Sequence, residues 1–225
     1  MAQITAQMVK ALRDRTGAGM MACKEALEEA GGDEEKAVQI IEKKGLAGVA
    51  KKAGAIAAEG LVHSYIHGGR IGVLVEVNCQ TDFVARNADF QEFVNEVAMQ
   101  IAAGNPSYVR REEIPEADIA ERREVFKGQL AEEEAASGKK RPEHVVEKIL
   151  EGKLEKWMKE SCLLEQELML RDDDDENFGT LTDKLSAKTG EKISIRRFVR
   201  YELGEGIEKK TTNLAEEVAE QLKGD

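Results

Sequence analysis

The chain has 225 residues, of which 41% are hydrophobic and 34% charged, and carries a formal net charge of −11. That length can bury a sizeable core, as one large domain or two to three small modules, and the composition is that of a soluble, helix-rich chain. The acidic balance disfavours general binding to a nucleic-acid backbone, which relies on clustered Lys and Arg. No apolar run approaches the roughly 20 residues that span a bilayer, and the start, Met1-Ala2-Gln3-Ile4-Thr5, lacks the basic segment and apolar block of a secretory signal. Cys23, Cys79 and Cys162 are widely spaced and odd in number. They argue against a disulfide framework or a zinc site and for ordinary buried thiols in a reducing, cytoplasmic compartment.

Residues 1–54 read as a small module of three helices. Thr5 is the first N-cap, and Ile4 with Val9 has the spacing of a hydrophobic staple. Met8, Val9 and Leu12 form one apolar face up to Gly17. A second helix runs from about Met20 to Ala30 and buries Cys23, Ala26 and Leu27. After Gly31-Gly32, Asp33 caps a third helix with Ala37, Val38, Ile40 and Ile41 inside, which Gly45 closes. So small a core suits a docking head better than a catalytic domain. The stretch from Leu46 to Gly60, rich in Ala, Gly and Lys, is either a linker or a thin helix in close packing.

Residues 55–210 read as an α+β core. Leu61–His67 and Ile71–Val77 are two strands around Gly68-Gly69-Arg70, a hairpin signal. Ile71, Val73, Val75 and Val77 share one face. A helix from Phe83 to Ala103, with Phe90, Val94, Val97 and Ile101 at helical spacing, is the expected cover, and Asn105-Pro106 stops it. The stretch from Pro115 to Leu170 reads as an inserted antiparallel helical hairpin, broken at Ser137–Pro142. Ile119, Phe126 and Leu130 line its first helix; Val146, Ile149, Leu150, Leu154 and Trp157 line its second. The acidic run Asp172–Glu176 lacks the alternating ligands and central Gly of a calcium loop and reads as solvated. After a short helix near Leu181–Lys188, Ile193–Glu202 joins the hairpin as the third strand of a small antiparallel sheet. Residues 211–225 form a tail module, a C-terminal helix with Leu214, Val218 and Leu222 on one side.

No catalytic constellation emerges. His63 and His67 share a strand face with Tyr65 between them, and no Cys or acid completes a metal site; His144, near a helix start, is a surface residue. The chain has no G-x-S-x-G elbow and no Walker loop, and Thr16-Gly17-Ala18-Gly19 lacks the preceding strand of a dinucleotide fingerprint. Neither covalent chemistry, a metal nor a cofactor is expected. What remains is a set of apolar residues at prominent positions. Met20 and Met21 are consecutive, so both cannot face a small core, and Met suits adaptable contacts. Thr81–Asn87 lies where strand gives way to helix, with Thr81 or Asp82 as the N-cap. Phe83, in the first turn, is either a core plug extending the Phe90 stripe or a protruding anchor.

These motifs together resemble the translation elongation factor Ts family. Ile4-Thr5-Ala6 through Leu12-Arg13, Thr16–Met21, Cys23-Lys24 and Ala26-Leu27 resemble its ubiquitin-associated-like head. Ala53–Ala58 with Glu59-Gly60, the Tyr65–Val75 hairpin, Thr81–Asn87 and Phe198–Glu208 resemble its core, so the likeness covers essentially the whole chain. Two departures stand out: Ala22, where the family commonly has an acid, and a single strand–strand–helix unit where larger members have two. The resemblance implies a guanine-nucleotide exchange factor for the GTPase elongation factor Tu. It assigns Thr81, Asp82, Phe83 and Val84 to insertion near the GTPase's magnesium site, with Phe83 as the wedge. Leu12, Met20 and Met21 then pack on the nucleotide-binding domain, His67 touches another partner domain, and the tail helix returns to the nucleotide domain. Arg86 and Asn87 are expected among the partner-binding residues. With one core unit, the chain is expected to form a homodimer through its sheet. Two other readings compete: a non-exchanging protein-binding adaptor, and an RNA-binding, ribosome-associated protein using Arg196-Arg197 and Arg200 beside Phe198 and Tyr201. The acidic total and the alternation of Arg with apolar residues weigh against direct nucleic-acid binding.

Overall fold

The computed structural model describes residues 4–52, 54–169 and 176–207. The expected tail helix at 213–222 and most of the acidic run lie outside them. The described residues hold eight α-helices and one three-stranded antiparallel sheet, an α+β architecture.

At the N-terminus, capping chemistry and apolar spacing agree. Helix α1 (Ala6–Thr16) starts at Thr5, whose Oγ1 accepts from the Met8 N–H at 3.3 Å, and ends at Gly17 with φ 68°. Helix α2 (Met20–Glu29) follows Gly19. Helix α3 (Glu34–Lys52) begins after Asp33, whose carboxylate accepts from the Lys36 N–H at 3.1 Å. Together they enclose Val9, Leu12, Cys23, Ala26, Leu27 and Ala37, with Ile4 packed alongside. Gly45 does not close α3, which runs on through Gly45 and Gly48 to Lys52. Gly45 serves a tertiary contact instead. A Cβ there would lie 2.7 Å from the Cβ of Ala187, on helix α8 (Phe178–Thr189). The missing side chain lets α3 lie flush against α8.

The sheet has the order β1 (Glu59–His67), β2 (Ile71–Cys79), β3 (Ser194–Glu202). Its inner face presents Val73, Val75, Val77, Cys79 and Ile195, all buried. Two helices follow β2 in the chain. Helix α4 (Asp82–Ala85) is a single turn, and α5 (Ala88–Gly104) lays Phe90, Phe93, Val94, Val97 and Ile101 across the sheet. Helix α8 adds Phe178, Leu181 and Leu185 to the same core. Gln100 is fully buried within it and satisfied: its Nε2 donates to Gln166 Oε1 and to the Glu167 carbonyl, each at 3.1 Å, and its Oε1 accepts from the Met169 N–H at 3.1 Å.

Helices α6 (Glu116–Ser137) and α7 (Glu143–Ser161) fold back on each other across Gly138–Pro142, enclosing Leu130, Leu150 and Leu154. The second helix stops at Ser161 rather than near Leu170. There the chain is drawn inward: Leu163 N–H donates to the Tyr108 carbonyl at 2.9 Å, and Cys162 and Leu163 are buried. A continuing helix would have left both apolar side chains outside the core.

Candidate functional site: a strand–helix corner

The single helix expected from Phe83 to Ala103 is broken in two. Asn87 takes an extended backbone (φ −67°, ψ 136°), and its side chain accepts from the Asp89 N–H at 2.9 Å, starting α5 afresh. The break removes Phe83 from the stripe that carries Phe90 and Val94. The Phe83 ring is 79% exposed, so it is not a core plug. Its neighbours anchor the turn: Val84 packs on the core and Ala85 is buried. Thr81 occupies the N-cap position with φ −130° and ψ 153°, but its hydroxyl does not cap. It donates instead to Glu191, at 2.6 Å. Asp82 pairs with Arg86 at 2.9 Å, an exposed i,i+4 contact that adds little stability.

The corner therefore gathers Thr81, Asp82, Phe83, Val84, Arg86 and Asn87. The other expected contact residues lie apart from it. Met20 and Met21, at the start of α2, are both exposed. Leu12 is 2% exposed and fills the N-terminal core with Cys23 and Leu27. His67 is exposed at the hairpin end of β1, its Nδ1 3.0 Å from the Tyr65 hydroxyl. The length of β2 separates it from Phe83. Glu191 has no sequence signal for a functional role. An acid one residue after a helix-ending Gly carries no periodic signal, and its partners are 110 and 111 positions away.

Burial keeps two of the chain's thiols, Cys79 at this site and Cys162 at the end of α7, protonated at neutral pH. Cys79, at the base of the corner, donates to the Thr81 carbonyl at 3.2 Å, and burial pushes its pKa up. Burial drives that of Cys162 to about 11. A cleft of about 620 Å³ framed by α1, α3, α5 and α8 carries opposing charges, among them Lys188 and Asp89, paired at 2.8 Å. Among the described residues, no group of three His, Cys, Asp or Glu is placed to hold a metal ion. No described helix is long and apolar enough to cross a membrane.

Residues 3–205 match the family profile described as Elongation factor TS. The chain belongs to the elongation factor Ts family. It is similar to Elongation factor Ts of Desulforamulus reducens, 55% identical over 224 residues that cover 99% of this chain and 100% of the relative. That of Alkaliphilus oremlandii is 58% identical over 219 residues, 97% of this chain and 98% of the relative. That of Myxococcus xanthus is 54% identical over 222 residues, 99% of each. Guanine-nucleotide exchange on elongation factor Tu during translation elongation is accordingly the function of this chain, as an elongation factor in protein biosynthesis.

Proposed function

We propose that exchange is carried out by the Thr81–Val84 corner, with Phe83 inserted beside the magnesium site of elongation factor Tu. The observation that carries this reading is a large apolar ring held out in water on a turn whose other residues are anchored. A bound guanine nucleotide depends on magnesium bridging its phosphates and on the groups around them. A ring wedged into that geometry, with the Asp82 carboxylate beside it, displaces the ion and stabilises the nucleotide-free state. By linkage, the factor weakens nucleotide binding by the ratio in which nucleotide weakens the factor. No covalent step, metal or cofactor of the chain's own is needed.

Residues 1–54 act as the ubiquitin-associated-like docking head, with Met20 and Met21 as its contact and Leu12 supporting them from beneath. Residues 55–210 form the core that presents the corner and, at its far end, His67; Arg86 and Asn87 flank the wedge. Residues 211–225 provide the returning tail. Direct nucleic-acid binding is absent from this scheme: Arg196 and Arg197 both pair with Glu76, at 2.8 Å and 2.7 Å, and Arg200 pairs with Glu202 at 2.9 Å. The site of action is cytoplasmic, without a membrane.

A homodimer is assigned to the outer face of the sheet. There Leu74 pairs with Val199, and Gly72 with Tyr201, across β2 and β3, while Val62 and Ile66 continue the face on β1. All five large side chains are exposed, an apolar patch of the kind that marks an interface.

The deciding experiment is stopped-flow release of a fluorescent guanine nucleotide from elongation factor Tu. Phe83→Ala is expected to slow release with a loss of about 2 kcal/mol or more, as for a hot-spot anchor. An unchanged rate rejects the wedge.

A further inference from the structure

Beyond the end of β2 the backbone of Gln80 and Thr81 has left the sheet ladder, whose last pair is Glu59 with Cys79. The partner for these two N–H groups comes from the loop between α8 and β3. Glu191 Oε2 accepts from the N–H of Gln80 and from that of Thr81, each at 3.0 Å, and its Oε1 accepts the Thr81 hydroxyl at 2.6 Å. Successive N–H groups converging on one anion form a nest, and hydrogen bonds to an ionised acceptor are about twice as strong as neutral ones.

The loop that carries this carboxylate is itself held on several sides. Lys192 N–H donates to Gln80 Oε1 at 3.0 Å, a return bond to the same corner. Ile193 N–H donates to Ser186 Oγ at 3.1 Å, tying the loop to α8. From the N-terminal side, Lys52 at the end of α3 donates to the Gly190 carbonyl, and Lys192 Nζ donates to the Ala55 carbonyl at 3.1 Å. The carboxylate is thus a strut between fixed points.

We infer that Glu191 is a positioning residue for nucleotide exchange: it locks Gln80 and Thr81 so that the first turn of α4 holds Phe83 outward. The inference rests on the insertion role proposed above for Phe83. Glu191 acts through the corner rather than on the nucleotide, so its loss alters the rate of the bound complex more than its formation. It also explains why the Thr81 hydroxyl does not cap its own helix.

Two measurements test this on the full-length chain. The first is amide hydrogen exchange at residues 80–84 of the free protein. In Glu191→Ala, exchange there is expected to speed up by about tenfold or more, the scale of losing hydrogen bonds to a charged group. Glu191→Gln is expected to fall between the parent and Glu191→Ala, because its amide oxygen still accepts the two N–H bonds, without the charge, and its NH₂ donates to the Thr81 oxygen. The second is nucleotide release against factor concentration. Glu191→Ala is expected to lower the maximal rate roughly tenfold while the half-saturating concentration moves less than about threefold; Glu191→Gln restores part of the rate.

Unchanged amide exchange in Glu191→Ala overturns the inference, as does a rate loss confined to the half-saturating concentration, or a Glu191→Gln variant as slow as Glu191→Ala. Thr81→Val deletes one of the three bonds at a half-buried position and is expected to show the same ordering more weakly, which keeps the test decisive should Glu191→Ala not fold. Phe83→Ala, run alongside, separates the two readings. Slow release in Phe83→Ala with a normal rate in Glu191→Ala overturns the strut alone. A normal rate in Phe83→Ala overturns the wedge and, with it, any role of Glu191 in aiming that ring, even where release in Glu191→Ala is slow.

Discussion

Phe83 holds an apolar ring in water that, buried, would contribute about 1.5–3 kcal/mol to a core. The folded chain gains almost nothing from that ring, and a partner's pocket can gain nearly all of it. Phe83→Ala is therefore expected to leave the urea unfolding midpoint of the free protein within the range of about 0.5 kcal/mol typical of surface positions, while impairing release as described above. A large loss of stability would mean that the ring packs on its own chain in solution. The residue types at this corner were readable in the sequence, but the direction of the ring was not. Phe83 has the right spacing to continue the Phe90 and Val94 stripe, and only the break at Asn87 takes it off that stripe. Asn87 is an ordinary N-cap residue, yet nothing local distinguishes an Asn that restarts a helix from one that rides along its surface. Glu191 was illegible for a different reason. Its meaning lies in two backbone N–H groups from a distant strand end, and backbone donors leave no trace in a residue pattern.

At the scale of elements, the two glycines of α3 have opposite expected effects. Alanine at Gly48 meets nothing within 4 Å and is expected to stabilise by up to about 1 kcal/mol through helix propensity. Alanine at Gly45 carries the same propensity gain but places its methyl 2.7 Å from Ala187 Cβ. Forcing the helices apart costs about 1–3 kcal/mol, so the net effect is expected to be a loss. Urea unfolding of the two variants checks it, and a stabilised Gly45→Ala would refute the tight α3–α8 contact. The same pair marks where sequence reading holds. Local signals located the elements well: the caps at Thr5 and Asp33, the hairpin turn at Gly68-Gly69, the break at Gly138. Tertiary contacts override local chemistry at two element ends: α3 runs on past Gly45, whose missing side chain lets α8 approach, and α7 stops at Ser161, after which Cys162 and Leu163 are buried.

For the whole molecule, the outer sheet face carries two expectations. Leu74→Lys at its centre is expected to shift sedimentation from dimer to monomer at micromolar concentration, because a charge without a partner would be buried in the interface; a parent that sediments only as monomer removes the dimer. At one end of this face Arg196 and Arg197 hold the Glu76 carboxyl down to about 2 from its ordinary 4.5. A carboxyl with a lowered folded-state pKa stabilises the fold fully above its unfolded value and loses that contribution as pH falls from 4.5 to about 2. Glu76→Gln is thus expected to be less stable than the parent near neutral pH, the gap closing toward pH 2 and narrowing with added salt, since the pairs are exposed. A gap independent of pH across that window would assign the loss to packing rather than to charge.

The flush contact at Gly45 has a mechanical consequence. Helix α3 rests directly on α8, α8 leads straight into Gly190 and Glu191, and Lys52 grips the same loop from the end of α3. In the docking proposed above, seating Met20 and Met21 on the partner aims the Phe83 ring: once the first contact is made, the second approaches from a set bearing, as an intramolecular event with a high effective concentration. Lengthening the chain between the two would leave each surface intact and still slow the partner's loss of nucleotide.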